Sequence, residues 1–169
     1  MTSYLLTTPR LGFRAWTKTD IQLARDLWGD ARTTQFIGGP FSDEQILRRL
    51  DAEIRNQEEH GVQYWPLFLL TDGAHIGCAG LRPYKVDEGV FELGVHLLPE
   101  YWGRGFAEEA CRAVIELAFT NVKVKALFAG HHPDNASSRR LLTRLGFRFT
   151  HEEKYVPTGR MHPSYRLDR

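Results

Sequence analysis

The sequence predicts an α/β protein: a mixed sheet of about seven strands covered by about four helices. Three observations carry that expectation. Apolar residues recur every second position in some stretches and every third or fourth in others. Glycine, proline and asparagine stand at the junctions between them. The 169 residues are 42% hydrophobic and 25% charged, which suits one domain, residues 1–169, with a sizeable core.

The elements read as follows. Leu11 to Trp16 is a short first strand. Asp20 to Trp28 carries Ile21, Leu23, Ala24, Leu27 and Trp28 at helical spacing. Phe36-Ile-Gly-Gly-Pro-Phe41 is a loop. Ser42 and Gln45 have the spacing of a capping box and open a helix that runs to His60. Ile46, Leu47, Leu50 and Ile54 form its apolar stripe, and Gly61 stops it. Tyr64 to Leu70 and His75 to Leu81 are strands joined by the turn Thr71-Asp-Gly-Ala74. Gly89 to Leu98 is the next strand, and Glu108 to Phe119 an amphipathic helix. Ala126 to Gly130 is a short apolar strand. Asn135 caps a helix through Leu145, ended by Gly146. Phe147 to Val156 and Pro163 to Leu167 close the chain as strands.

The bulk numbers exclude several roles. A net charge of +1 gives no general attraction to nucleic acid or an anionic membrane. No apolar run approaches the roughly 18 residues of a membrane span, and the N-terminus lacks a secretion signal, so a cytoplasmic protein is expected. Cys78 and Cys111 form no metal or redox motif and read as buried small hydrophobes. His131-His132 lacks zinc-motif partners, so no metal site is expected. The pairs Arg48-Arg49 and Glu58-Glu59 read as solvated helix faces.

One segment points to a ligand. Between the strand ending at Leu98 and the helix lies Trp102-Gly-Arg-Gly-Phe-Ala107. Such a turn can aim several backbone N–H groups into one small volume, and the helix start adds its unpaired amides and positive dipole end. That suits a phosphate or pyrophosphate. A dinucleotide fingerprint fails here: Glu108 stands where its third glycine belongs, and Lys125 stands about 20 residues past Gly105, where an acid should bind ribose.

Downstream comes Asn135-Ala-Ser-Ser-Arg-Arg-Leu-Leu-Thr-Arg-Leu-Gly-Phe147. With it the chain resembles the GNAT acetyltransferases, and most closely their RimJ/RimL-type branch. The resemblance rests on Glu92-Leu-Gly94, on Pro99-Glu-Tyr-Trp-Gly-Arg-Gly-Phe-Ala107, on Glu109-Ala110, on Asn135 with Ser138, on Leu145-Gly-Phe147, and on the opening Leu11 to Trp16 with Asp20. The superfamily pattern Gln/Arg-x-x-Gly-x-Gly/Ala has Trp102 in place of its polar first residue, a change that the branch favours.

The resemblance implies a mostly antiparallel sheet, acetyl-CoA as donor, and an amine as acceptor: a peptide N-terminus or a small molecule. It implies that Trp102, Gly103, Arg104, Gly105, Phe106 and Ala107 hold the pyrophosphate. Backbone groups of Leu97 and Leu98, with Asn135, would hold the pantetheine, and a main-chain N–H there could polarise the thioester carbonyl. Ser138 would sit near the sulfur and donate to the departing thiolate. Strand alternation puts Glu92, Gly94 and His96 on one face. Glu92 or His96 can then take the amine proton; imidazole titrates near neutrality, at about 6.5. The acceptor cleft would involve Phe36 to Phe41, the loop of Tyr155, Pro157, Gly159 and Arg160, and Trp28, Trp65 and Tyr84. A CoA-binding module without turnover shares these features, and a homodimer is compatible with them.

Overall fold

The structure, a computed structural model, describes residues 2–169. Eight strands form one sheet: β1 (Leu6–Thr7), β2 (Leu11–Phe13), β3 (Tyr64–Leu69), β4 (His75–Lys85), β5 (Val90–Leu97), β6 (Ala126–Gly130), β7 (Arg148–Tyr155) and β8 (Arg160–Asp168). Their spatial order is β1-β2-β3-β4-β5-β6-β8-β7. Every neighbouring pair is antiparallel except β5 with β6, which is parallel. The helices are α1 (Ile21–Trp28), α2 (Ala31–Thr34), α3 (Asp43–His60), α4 (Phe106–Leu117) and α5 (Ala136–Arg144). The expected mixed α/β architecture is present, with one strand and one helix more than the pattern gave. The additions, β1 and α2, are too short to carry a period.

Local signals hold at several junctions. Ser42 and Gln45 make the reciprocal capping box, Ser42 N–H to Gln45 Oε1 at 2.8 Å and Gln45 N–H to Ser42 Oγ at 3.2 Å. Gly61 ends α3 at φ 70°, a left-handed conformation that glycine adopts without a Cβ clash. β4 runs four residues beyond the expected Leu81, through Pro83. Its neighbour β3 pairs no further than Tyr64 with Gly80, so the N–H that Pro83 lacks has no strand to serve. Leu47 leaves the α3 stripe and is 44% exposed, whereas Ile46 and Leu50 are buried.

The core lies on both faces of the sheet. One side packs Trp16, Ala24, Leu27, Trp28, Ile46, Leu50, Tyr64 and Cys78 beneath α1 and α3. The other packs Trp65, Ala79, Phe91, Leu93, Phe106, Ala110, Val114, Leu141 and Leu142 beneath α4 and α5. Neighbouring residues Tyr64 and Trp65 thus belong to opposite cores, as strand alternation requires. Cys78 and Cys111 are free and buried, and burial pushes each thiol up to about 12. Among the described residues, no helix is long and apolar enough to cross a membrane and no group of acids, histidines and cysteines could hold a metal.

Candidate active site

The pairing of β5 with β6 stops early. It covers Val90 to Glu92 against Ala126 to Phe128, and then the strands part. Leu98 N–H donates to Ile76 O at 2.9 Å, so 76 and 98 are a hydrogen-bonded pair across β4 and β5. Antiparallel alternation then turns the main-chain groups of Val95 and Leu97 away from β4, towards the gap. A cavity of about 740 Å³ runs through this gap. Its walls include Phe106, Cys111 and Leu141 from the α4/α5 side, and Tyr64, Glu92 and His96 from the α1/α3 side. The sheet is therefore pierced, and both faces reach one space.

At the α4 end, Gly103 and Gly105 have φ of 69° and 80°. A β-carbon is disfavoured in that region, and around Gly103 there is open space. No acceptor meets the consecutive backbone amides from Gly103 to Glu108 among the described residues. The two acids of the first helical turn are already neutralised. Glu108 accepts from Arg112 at 2.7 Å and Arg144 at 3.0 Å, and Glu109 from Arg10 at 2.6 Å and Thr8 at 2.6 Å. Burial acts to raise the Glu109 carboxyl, but the Thr8 and Arg10 bonds outweigh it and leave it below its ordinary value. Arg10 also donates to Arg104 O at 3.0 Å and lies over Phe106 at 4.3 Å, bracing the turn from the bend just before β2. The result is a row of open N–H dipoles with its nearby negative charge cancelled.

On the opposite side, Tyr64 Oη donates to Glu92 Oε1 at 2.5 Å. The Arg82 guanidinium covers the Tyr64 ring at 3.8 Å and is paired with buried Glu53. Glu53 also accepts from Tyr64 N–H at 2.9 Å. Burial, then the Glu92 charge, raise the Tyr64 phenol well above its ordinary value, so it stays a donor. Gly94 lies between Glu92 and His96 on this face, and a β-carbon there would collide with the hydroxyl end of Tyr64. His96 is held differently. Trp28 Nε1 donates to its Nδ1 at 3.2 Å, and Cys78 Sγ lies 3.7 Å from the same nitrogen. An indole N–H only donates, so the neutral ring carries its proton on Nε2 and its one lone pair is engaged. Burial, then Arg49 and Arg82, push this imidazole well below its usual range.

Across the gap, Asn135 Oδ1 accepts Ser138 N–H at 3.1 Å, the expected cap of α5. Ser137 and Ser138 both line the cavity; Ser138 is half-buried, whereas Ser137 is exposed, with Arg140 reaching it at 3.4 Å. The structure thus brings Glu92, His96, Leu97, Trp102, Gly103, Gly105, Phe106, Ala107, Asn135 and Ser138 to one cavity. Leu98 is a correction. Its N–H is spent on Ile76 O and its carbonyl accepts Tyr101 N–H at 3.0 Å, so neither faces the gap. Arg104 does not line the cavity; its guanidinium lies near Phe106 at 5.1 Å and Tyr101 at 5.7 Å. Trp102 contributes by structure: its indole donates to Leu97 O at 2.8 Å and leaves the Leu97 N–H facing the gap. Among the aromatics, Phe36, Tyr84 and Tyr155 line the cavity, whereas Trp28 and Trp65 are core; Pro157, Gly159 and Arg160 do not line it. His131 is tied to His132 O at 2.7 Å and Tyr165 Oη at 3.2 Å, a strand-end role.

Sequence reasoning missed Tyr64, Arg82 and Glu53. One signal was present. Glu53 stands seven residues after Ile46 and three after Leu50, a charge inside the apolar stripe of α3.

Comparison with known proteins identifies the family and the fold. The acetyltransferase (GNAT) domain family matches residues 10–148. An uncharacterised N-acetyltransferase, p20, of Bacillus licheniformis is 28% identical over 144 residues, covering 84% of this chain and 81% of that protein. RimL, a ribosomal L7/L12 alpha-N-protein acetyltransferase, superposes with a TM-score of 0.84 at 14% identity, covering 100% of this chain and 96% of RimL. The spermidine N-acetyltransferase of Vibrio cholerae, solved with CoA and spermine, gives a TM-score of 0.80 at 16% identity, covering 95% and 96% of the two chains. With residues 10–148 matched, the chain belongs to the GNAT acetyltransferase family and is an acetyltransferase.

Proposed function

We propose that residues 1–169 form one enzyme that moves an acetyl group from acetyl-CoA to a primary amine by direct attack on the thioester. One observation carries this reading: open amides from Gly103 to Glu108 stand at one end of a cavity that passes through the sheet to a held carboxylate, Glu92. In it the amides of Gly103 to Ala107 bind the pyrophosphate. Asn135 and the edge of β5 hold the pantetheine. The Leu97 N–H donates to the thioester oxygen as negative charge grows there.

Glu92 is the base in this reading, accepting the amine proton directly or through one water. Tyr64 fixes one of its oxygens, and the other meets no donor among the described residues. The engaged lone pair of His96 argues against it in that role. Once the amine nitrogen bonds the acyl carbon, the C–S bond breaks and Ser138 Oγ donates a hydrogen bond to the departing thiolate. A thiol pKa of about 8.5 makes that a tolerable leaving group.

RimL and spermidine acetyltransferase are both good fold neighbours, at TM-scores of 0.84 and 0.80, so a ribosomal-protein substrate gains no special support from the RimJ/RimL-type motifs. The test is release of CoA thiol from acetyl-CoA with a panel of amines, from N-terminal alanine and serine peptides to polyamines and amino acids. Turnover of at least one amine is expected; none with any amine would sink the catalytic reading.

A further inference from the structure

The sequence pattern placed Arg48 and Arg49 together on a solvated face. Only Arg48 is there, paired with Glu44 at 2.6 Å. Arg49 turns inward from α3. Its guanidinium lies over Phe41 at 4.5 Å and Trp28 at 5.4 Å, and it lines the cavity with Tyr64, Glu92 and His96. Among the described residues it makes no ion pair and no hydrogen bond. The acid nearest in sequence on the same helix face is spent: Glu53 gives one oxygen to Arg82 and the other to Tyr64 N–H. The other cavity cations are accounted for. Arg82 has Glu53, Arg144 has Glu108, and Arg32, Arg140 and Lys154 are exposed to water. Burial, then the charge of Arg82, push the Arg49 guanidinium below its ordinary range, a cost that an incoming anion would relieve.

We infer that Arg49 receives a carboxylate of the acceptor, so that the acceptor is a primary amine that also bears a carboxylate. This rests on the acetyl-transfer reading of the same cavity. A guanidinium offers two parallel N–H donors that match a carboxylate, and the Phe41 and Trp28 rings lie against it at 4.5 and 5.4 Å. A polyamine would bring a second positive charge against a cation that has no counter-ion. The carboxylate can belong to a free amino acid or to an acidic residue early in a peptide.

Matched pairs decide it: 4-aminobutyrate against 4-aminobutyramide, and Ala-Asp-Ala-amide against Ala-Asn-Ala-amide, with spermidine alongside. For each, kcat/KM for CoA release is measured, and so is calorimetric binding to the CoA-saturated protein. The acid should exceed its amide by about tenfold or more in at least one pair, the size of a charged hydrogen-bonded contact. The pair that responds tells amino acid from peptide. In Arg49→Met the acid-to-amide ratio should fall to about one, and Arg49→Lys should retain part of it. Wild-type ratios near one, spermidine preferred over both acids, or an unchanged ratio in Arg49→Met would each overturn the assignment. If no amine is acetylated, the acetyl-transfer reading fails separately, and the binding ratios still decide Arg49. Should Arg49→Met unfold, Arg49→Lys and Arg49→Gln carry the comparison.

Discussion

Glu92 and His96 sit two pleats apart on one strand face, yet their surroundings separate their chemistry. Glu92 has a hydroxyl on one oxygen and cavity in front of it; His96 has an indole on its available nitrogen. Replacing Glu92 by Gln should therefore lower kcat by about a hundredfold or more, the usual worth of a general base. His96→Gln should cost far less. Comparable losses in both, measured at saturating acetyl-CoA, would argue for a shared role. Ser138→Ala should slow turnover by about tenfold or less, because the thiolate leaves without a full proton transfer. The strand face of Glu92 and the helix start at Asn135 and Ser138 were legible from spacing, whereas the site roles of Asn135 and Ser138 came from the family resemblance. Arg49 was read as solvated and instead turns inward, and Glu53 was not read, although both interrupt the apolar stripe of α3. Periodicity says which face a residue occupies; it does not say that a partner waits there.

At the scale of elements, one glycine limits what the site tolerates, and a second, outside the site, is its control. Gly105 and Gly73 share a left-handed backbone, at φ 80° and 74°, but only Gly105 belongs to the open amide row. Gly105→Val should raise the acetyl-CoA KM at least about tenfold, since a side chain enters an anion site built from main chain. Gly73→Val, in the β3–β4 turn, should carry similar backbone strain and leave KM alone. An unchanged KM in folded Gly105→Val would remove the assigned cradle. Strands and helices longer than one turn were legible from their period, and the caps from Ser42, Asn135 and Gly61. The one-turn α2 and the two-residue β1 were not, because neither spans a full repeat. Nor was the loss of Leu98 from the site, which depends on pairing register with Ile76 across the hairpin.

For the whole molecule, the gap between β5 and β6 is a product of topology. It needs a parallel pairing that ends at Glu92 and a sheet completed by β8 ahead of β7. Non-local pairing of that kind leaves no trace in local pattern, so the pierced sheet was not legible from the period. Stability should also be sensitive to acid at this scale. Burial lowers His75 to about 4, its Nε2 buried without a partner, and holds His96 well below its usual range. The unfolded chain binds those protons near pH 6.5, so stability is full above that value and falls as pH drops towards the folded-state values. The urea midpoint should drop between about pH 7.5 and about pH 5. His75→Leu should shrink that drop, and an equal drop in both proteins would count against the assignment.

The buried cysteines have a practical corollary. With both thiols pushed up to about 12 and buried, Cys78 in one core and Cys111 behind the wall of the cavity, native protein presents almost no thiolate at mildly alkaline pH. A disulfide dye added to the reaction mixture would then colour only with liberated coenzyme, in continuous readout. Any slow protein-derived signal would report unfolding, so one cuvette would follow both turnover and the integrity of the catalyst.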